Sequence, residues 1–172
     1  MKTSFLLLTL LFVMPCVAQE KCGLGLKDAP PFFGLNLGMN PKQVQSVFGK
    51  KLKVKVKKEG SFFQNFINEP PPAFLSGVRA VYLRFFNRQL YQIEIFYEAE
   101  EGRVNLDEFV GALSANLKLP RAAWAESNKR FELNCAEFSL VADNVLNPRI
   151  ELTDEINRAE FEESQKRKNN KK

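Results

Sequence analysis

Two nine-residue runs, Val78–Phe86 and Gln89–Tyr97, are dense in β-branched and aromatic side chains and are separated only by Asn87-Arg88. Such residues suit a pleated, half-buried surface. So short a connection leaves antiparallel pairing as the only solution, because a parallel crossover needs about a dozen residues or more. The chain is therefore organised around a hairpin that must bury at least one face. In the second run Tyr91, Ile93, Ile95 and Tyr97 recur at every second position and are expected to share a face. No alternation of strand and helix patterns follows that would build a parallel sheet.

Helices are punctuated with equal clarity. Asn40 is a good N-cap, Pro41 suits the first helical position and Gln43 stands where a capping box needs its partner. Val44, Val47 and Phe48 then share one face, and Gly49 can take the backbone conformation that ends a helix. Asn105 with Glu108 repeats the capping signal, and Phe109, Val110, Leu113 and Leu117 form a stripe that stops before Pro120. Further strands follow from alternation: Leu52, Val54 and Val56; then Phe131, Leu133 and Cys135; then Phe138, Leu140 and Ala142; then Ile150 and Leu152. Ala136-Glu137, where the alternation changes phase, reads as a tight turn or bulge. The residues from Phe62 to Leu75 carry four phenylalanines and Pro70-Pro71-Pro72, and read as a long aromatic loop. From Asp154 the chain is charged, a frayed helix running into a disordered basic tail.

The order of helix, strands, helix, strands implies an α+β fold with short helices packed on an antiparallel sheet. Residues 19–29 form a lead-in. A single domain covers 30–154, in two helix-plus-antiparallel-strand halves at about 30–100 and 103–154, and 155–172 is the tail.

Composition narrows the chemistry. The 172 residues include no histidine, which excludes Ser-His-Asp and Cys-His catalysis and removes the commonest metal ligand. The formal net charge of +5 does not make the body basic. Six of the basic groups are Lys2 and the five at Lys166, Arg167, Lys168, Lys171 and Lys172, so residues 19–165 hold 19 basic groups against 20 acidic ones. Nucleic acid is not an expected partner of such a body.

Residues 1–18 read as a secretory signal peptide, with Lys2, an apolar run from Phe5 to Val13, and Cys16-Val17-Ala18 as the cleavage stretch. Val13-Met14-Pro15 before Cys16 is a poor lipidation site, and no segment is long and apolar enough for a transmembrane span. Cys22 and Cys135 survive removal of the leader. Two cysteines in an oxidising compartment suggest one disulfide, the alternative being two free thiols. With only these two cysteines and no histidine, no zinc site is expected.

The segment Gly34 to Gly49, with Leu37-Gly38-Met39-Asn40-Pro41-Lys42-Gln43-Val44 at its centre, resembles the glycine-methionine, short-helix, glycine passage of the SmpA/OmlA (BamE-like) envelope proteins. Phe86-Asn87-Arg88-Gln89-Leu90 resembles their hairpin, and the tandem arrangement is similar to the β-lactamase-inhibitor-protein-like fold. The resemblance implies helical elements on an antiparallel sheet and a bacterial envelope location, periplasmic or extracellular. It assigns no functional residue.

Several groups of residues invite a functional reading. Lys51, Lys53, Lys55 and Lys57 form one face of an alternating strand; they fit an anionic polymer or lipid surface, or simply an edge protected against aggregation. Phe62, Phe63, Phe66 and Phe74, beside the rigid prolines, offer a partner surface or else core packing. Glu94, Glu98, Glu100 and Glu101 contain acids but no calcium-loop spacing, and read as a solvated hairpin end. Trp124 reads as a core plug, and Lys166 to Lys172 as a solubilising tail that also suits an anionic surface. The pattern as a whole predicts an exported, non-enzymatic binding or scaffolding module with no cofactor, whose partner is another envelope protein. The alternatives are a binder of anionic surfaces through the lysine strand and tail, and a carboxylate-dependent hydrolase.

Overall fold

A computed structural model describes residues 22–49, 59–68, 71–98, 105–144 and 147–170. Its centre is the hairpin of β2 (Val78–Phe86) and β3 (Gln89–Tyr97). Asn87 and Arg88 both have positive φ, 49° and 65°, the backbone sign that matches a two-residue turn to the twist of its strands. β1 (Gly60–Asn65) pairs with β2, and β7 (Arg149–Asp154) pairs with β3. Outside β7 lie β6 (Phe138–Asp143), β5 (Arg130–Asn134) and β4 (Trp124–Ser127), giving one antiparallel sheet in the order β1-β2-β3-β7-β6-β5-β4. The two halves are thus two meanders whose last strands, β3 and β7, join edge to edge. Ile93 stands opposite Leu152 and Ile95 opposite Ile150 across that seam.

One face of the sheet is sealed by α1 (Pro41–Phe48) and α2 (Leu106–Leu117). Asn40 caps α1 through the amides of Lys42 and Gln43, while Gln43 Oε1 accepts from the Asn40 amide at 2.8 Å, completing the reciprocal box. Phe48 of α1 meets Phe62 of β1 with ring centroids 5.7 Å apart, and Phe109 of α2 meets Tyr97 of β3 at 5.5 Å. Between the helices, Leu83, Phe85, Ile93, Ile95, Leu133, Phe138, Leu140, Ile150 and Leu152 are fully buried. Each such side chain contributes roughly 1.5–3 kcal/mol relative to exposure. Trp124 is in this core, as its sequence context predicts. The residues ahead of α1 also join the sheet: Gly38 donates to Leu90 O and Met39 O accepts from the Leu90 amide, each at 2.8 Å. Gly38 reaches that position with φ +82°, a conformation that glycine adopts without strain.

The lead-in is stapled to the far half. Cys22 and Cys135 form a disulfide with Cα atoms 4.5 Å apart across a sequence separation of 113. The Leu26 amide donates to Glu137 Oε2 at 2.7 Å, and the Ala136 amide to Leu24 O at 3.2 Å.

Two expectations need correction. Tyr91 does not share a face with Ile93, Ile95 and Tyr97. A register shift after Arg84 inserts an extra residue on β3, so Leu90 takes the core position and Tyr91 turns to the other side, where it stacks on Phe161. The aromatic loop is partly regular: Gly60–Asn65 is a strand, because Phe62 finds Leu83 directly opposite on the core face. The charged segment after Asp154 is helical over its described length. Asp154 caps α3 (Glu155–Asn169), accepting from the Asn157 amide at 2.9 Å, and α3 packs on the sheet face away from α1 and α2 through Phe161.

Candidate functional site

The face carrying α3 concentrates the polar side chains. On the strands that bury Ile93, Ile95, Ile150 and Leu152, the alternate positions are Gln92, Glu94, Arg149, Glu151 and Thr153. Arg149 is the hub. Its Nη2 donates to Asp143 Oδ2 at 2.5 Å, and its Nη1 lies 3.3 Å from Glu94 Oε2 and 3.5 Å from Glu151 Oε2. Arg84 Nη2 stands 3.8 Å from Glu94 Oε1, and Gln92 Nε2 donates to Glu151 Oε1 at 2.6 Å. The Glu94 and Asp143 side chains are only 8% and 9% exposed, so these charges are held largely out of water. Burial pushes the Glu94 carboxyl above its ordinary range and the neighbouring Glu151 adds to the rise, against the pull of Arg149 and Arg84. All three carboxylates contact Arg149, an arrangement that holds strands in register and leaves the acids engaged with a cation.

This network divides the face into two ends. At one end α3 crosses the β2–β3 hairpin. Phe161 stacks on Tyr91 at 5.6 Å and meets Phe86 edge-on at 5.7 Å, Asn157 contacts Gln89, and Lys168 reaches Glu59 at 2.7 Å. At the other end, among the described residues, no helix lies over the sheet. Phe63, 56% exposed, leans edge-on against Tyr82 at 6.1 Å, and Ile67 is 62% exposed. With Ala80 and Phe96 they line a depression of about 210 Å³ rimmed by Asn65, Arg79 and Asn147.

The four candidate phenylalanines are split rather than gathered. Phe66 is buried, and Phe62 is half-buried against Phe48. Phe74 sits 6.1 Å from Phe48 and is 40% exposed. Only Phe63 faces the open end, because it is the β1 residue out of phase with Phe62. Lys51, Lys53, Lys55 and Lys57 lie outside the described residues, as do Glu100 and Glu101. Glu98 is exposed just beyond β3, while Glu94 is buried and bound to arginine, so these acids do not converge. In the tail, Arg167 pairs with Glu163 and Lys168 with Glu59.

Sequence reasoning overlooked Arg84, Asp143, Arg149 and Glu151, and also Ile67, Phe96 and Phe161. The outward phase of each strand carried the signal for the first group, since Arg84, Asp143, Arg149 and Glu151 alternate with core positions. Their convergence depends on the β3–β7 seam, which joins residues more than fifty positions apart. Among the described residues no group of acidic or cysteine side chains is placed to hold a metal ion, and no helix is long and apolar enough to cross a membrane. Compared with known proteins, the chain matches no family model, no curated protein and no solved structure.

Proposed function

We propose that the chain is an exported, non-enzymatic binding module of the bacterial envelope that holds a partner protein on the open end of its outer sheet face. One observation carries this reading. Phe63 and Ile67 stand exposed beside Phe96 and Ala80, around a depression with a polar rim, on a sheet stiffened by the Arg149 network. An apolar centre with a polar border is the anatomy of a protein interface, and a rigid platform lowers the ordering cost of binding. The leader-like residues 1–18, the Cys22–Cys135 pair and the resemblance to SmpA/OmlA-like proteins support export to the envelope. The absence of histidine and the engagement of Glu94, Asp143 and Glu151 by Arg149 support a binding role over hydrolysis.

The test is site-specific photocrosslinking in the native envelope. A crosslinker at position 63 or 67 should yield one discrete protein adduct, and the same group at exposed Lys129, on the β4–β5 turn, should not. Equal labelling from all three positions, or none from 63 and 67, would sink the reading.

A further inference from the structure

The end of the outer face beneath α3 holds a second recess. Tyr82, Arg84, Tyr91 and Phe161 line a cleft of about 320 Å³, bounded along β1 by Gly60 and Ser61. That volume lies at the lower end of the range for small-molecule sites, enough for one or two rings. Its walls are aromatic on several sides. Tyr91, almost fully buried, stacks on Phe161 with an interplanar angle of 29°, and Tyr82 lies beneath the Arg84 guanidinium at 5.0 Å. The cation–π contact restrains that guanidinium, which would otherwise sweep a wide arc.

Arg84 is also only partly engaged. It shares a hydrogen bond with the Tyr91 hydroxyl, and its Nε is buried without a partner among the described residues, but its Nη2 is 3.8 Å from Glu94, beyond hydrogen-bond range, and its side chain is 42% exposed. Glu94 meanwhile makes its closer contact to Arg149, at 3.3 Å. A planar, oriented and incompletely paired guanidinium beside three rings matches a carboxylate joined to a flat apolar body, since the arginine fork accepts a carboxylate edge-on with two parallel hydrogen bonds.

We propose that this cleft binds a small planar carboxylate carrying one or two aromatic rings, with Arg84 holding the carboxylate and Tyr82, Tyr91 and Phe161 enclosing the rings. The cleft shares no lining residue with the partner surface around Phe63 and Ile67, although Tyr82 meets Phe63 edge-on, and the proposal does not rest on that surface's role. Glu94 is its internal competitor, because a bound carboxylate and Glu94 draw on the same guanidinium.

The test uses indole-3-acetate and its neutral counterpart indole-3-acetamide as probes, each titrated into the folded, disulfide-bonded protein and followed by NMR shifts. The acetate should saturate and move the resonances of Tyr82, Tyr91 and Phe161, while the acetamide binds at least about tenfold more weakly, the weight of one charge-assisted contact. In Arg84→Gln the difference between the two probes should vanish. Glu94→Gln should tighten acetate binding about threefold or more by freeing Arg84. Ile67→Ser, outside the lining of the cleft, should leave it unchanged. Equal affinity for the two probes, no saturable shift at these rings, or undiminished acetate binding by folded Arg84→Gln would each overturn the proposal. Should Arg84→Gln fail to fold, the acetate–acetamide comparison on the unmodified protein decides alone.

Discussion

On one face of the sheet, Leu83, Phe85, Ile93, Ile95, Ile150 and Leu152 lie sealed beneath two helices; one residue along on the same strands, Arg84, Glu94, Arg149 and Glu151 face the other way. The backbone hydrogen bonds are shared, so the contrast isolates what side chains contribute. The inner face is held by area removed from water, a term that is non-directional and accumulates with every buried ring. The outer face is held by the Phe161 stack on Tyr91 and Phe86 and by a few directed contacts, whose gain must first offset the desolvation of Glu94 and Asp143. It also keeps uncovered ground, with Phe63 and Ile67 at one end and the Arg84 cleft at the other. Stability is concentrated on one side, and the capacity to bind on the other.

The sharpest way to probe this division is to damage the inner face. Phe138→Ala empties a fully buried site and should cost about 3–5 kcal/mol by chemical denaturation. A loss below about 1 kcal/mol would mean that the helices seal the sheet poorly. Cys22→Ser with Cys135→Ser should follow at about 2–4 kcal/mol, since the bridge closes a loop of 113 residues in the unfolded chain. Arg149→Met strands three carboxylates on the outer face. Because that guanidinium side chain is 26% exposed, the expected loss is discounted to about 1–3 kcal/mol, measured in the same way.

A pH series sharpens the outer face further. Burial holds Glu94 above the ordinary carboxylate range, with Glu151 reinforcing the shift. The folded protein therefore takes up this proton at a higher pH than the unfolded chain does. Glu94 accordingly favours the fold increasingly as pH falls from neutrality through its folded pKa toward the ordinary range, and loses that advantage as pH rises. The Tm of the natural chain relative to Glu94→Gln should rise on acidification through that window; a difference that narrows would contradict the account. The smallest effect belongs to the open end. Phe63→Ser and Ile67→Ser should each shift stability by no more than about 0.5 kcal/mol, as exposed positions do, while abolishing the partner adduct.

Much of the fold was legible because its cues are local. The cap at Asn40 with Pro41 and Gln43, the stripe through Val110 and Leu113, and the two runs around Asn87-Arg88 each rest on interactions within a few residues. The misreadings share one cause. Tyr91 changed face because a bulge added one residue, and a period-two pattern cannot register that until the partner strand is known. Phe62 and Phe63 look equivalent on paper. They part only because Leu83 and Tyr82, on opposite faces, stand across from them. The four phenylalanines are therefore divided between core and surface by the strands they face. The charged residues after Asp154 read as a helix, and only the structure shows that one side chain, Phe161, finds Tyr91 and Phe86 and seats it.

The linear order of residues was enough for the element types, their antiparallel character and the near-neutral body, because propensity, capping and charge act over short reach. The pairing of β3 with β7, and with it the meeting of Glu94, Arg149 and Glu151, was decided only when two distant meanders closed into one sheet. So was the cleft, whose Arg84 and Phe161 come from elements far apart in the chain. Alternation says which side of a strand a residue occupies. Which strand lies next to it depends on how the whole set of apolar faces can be covered at once.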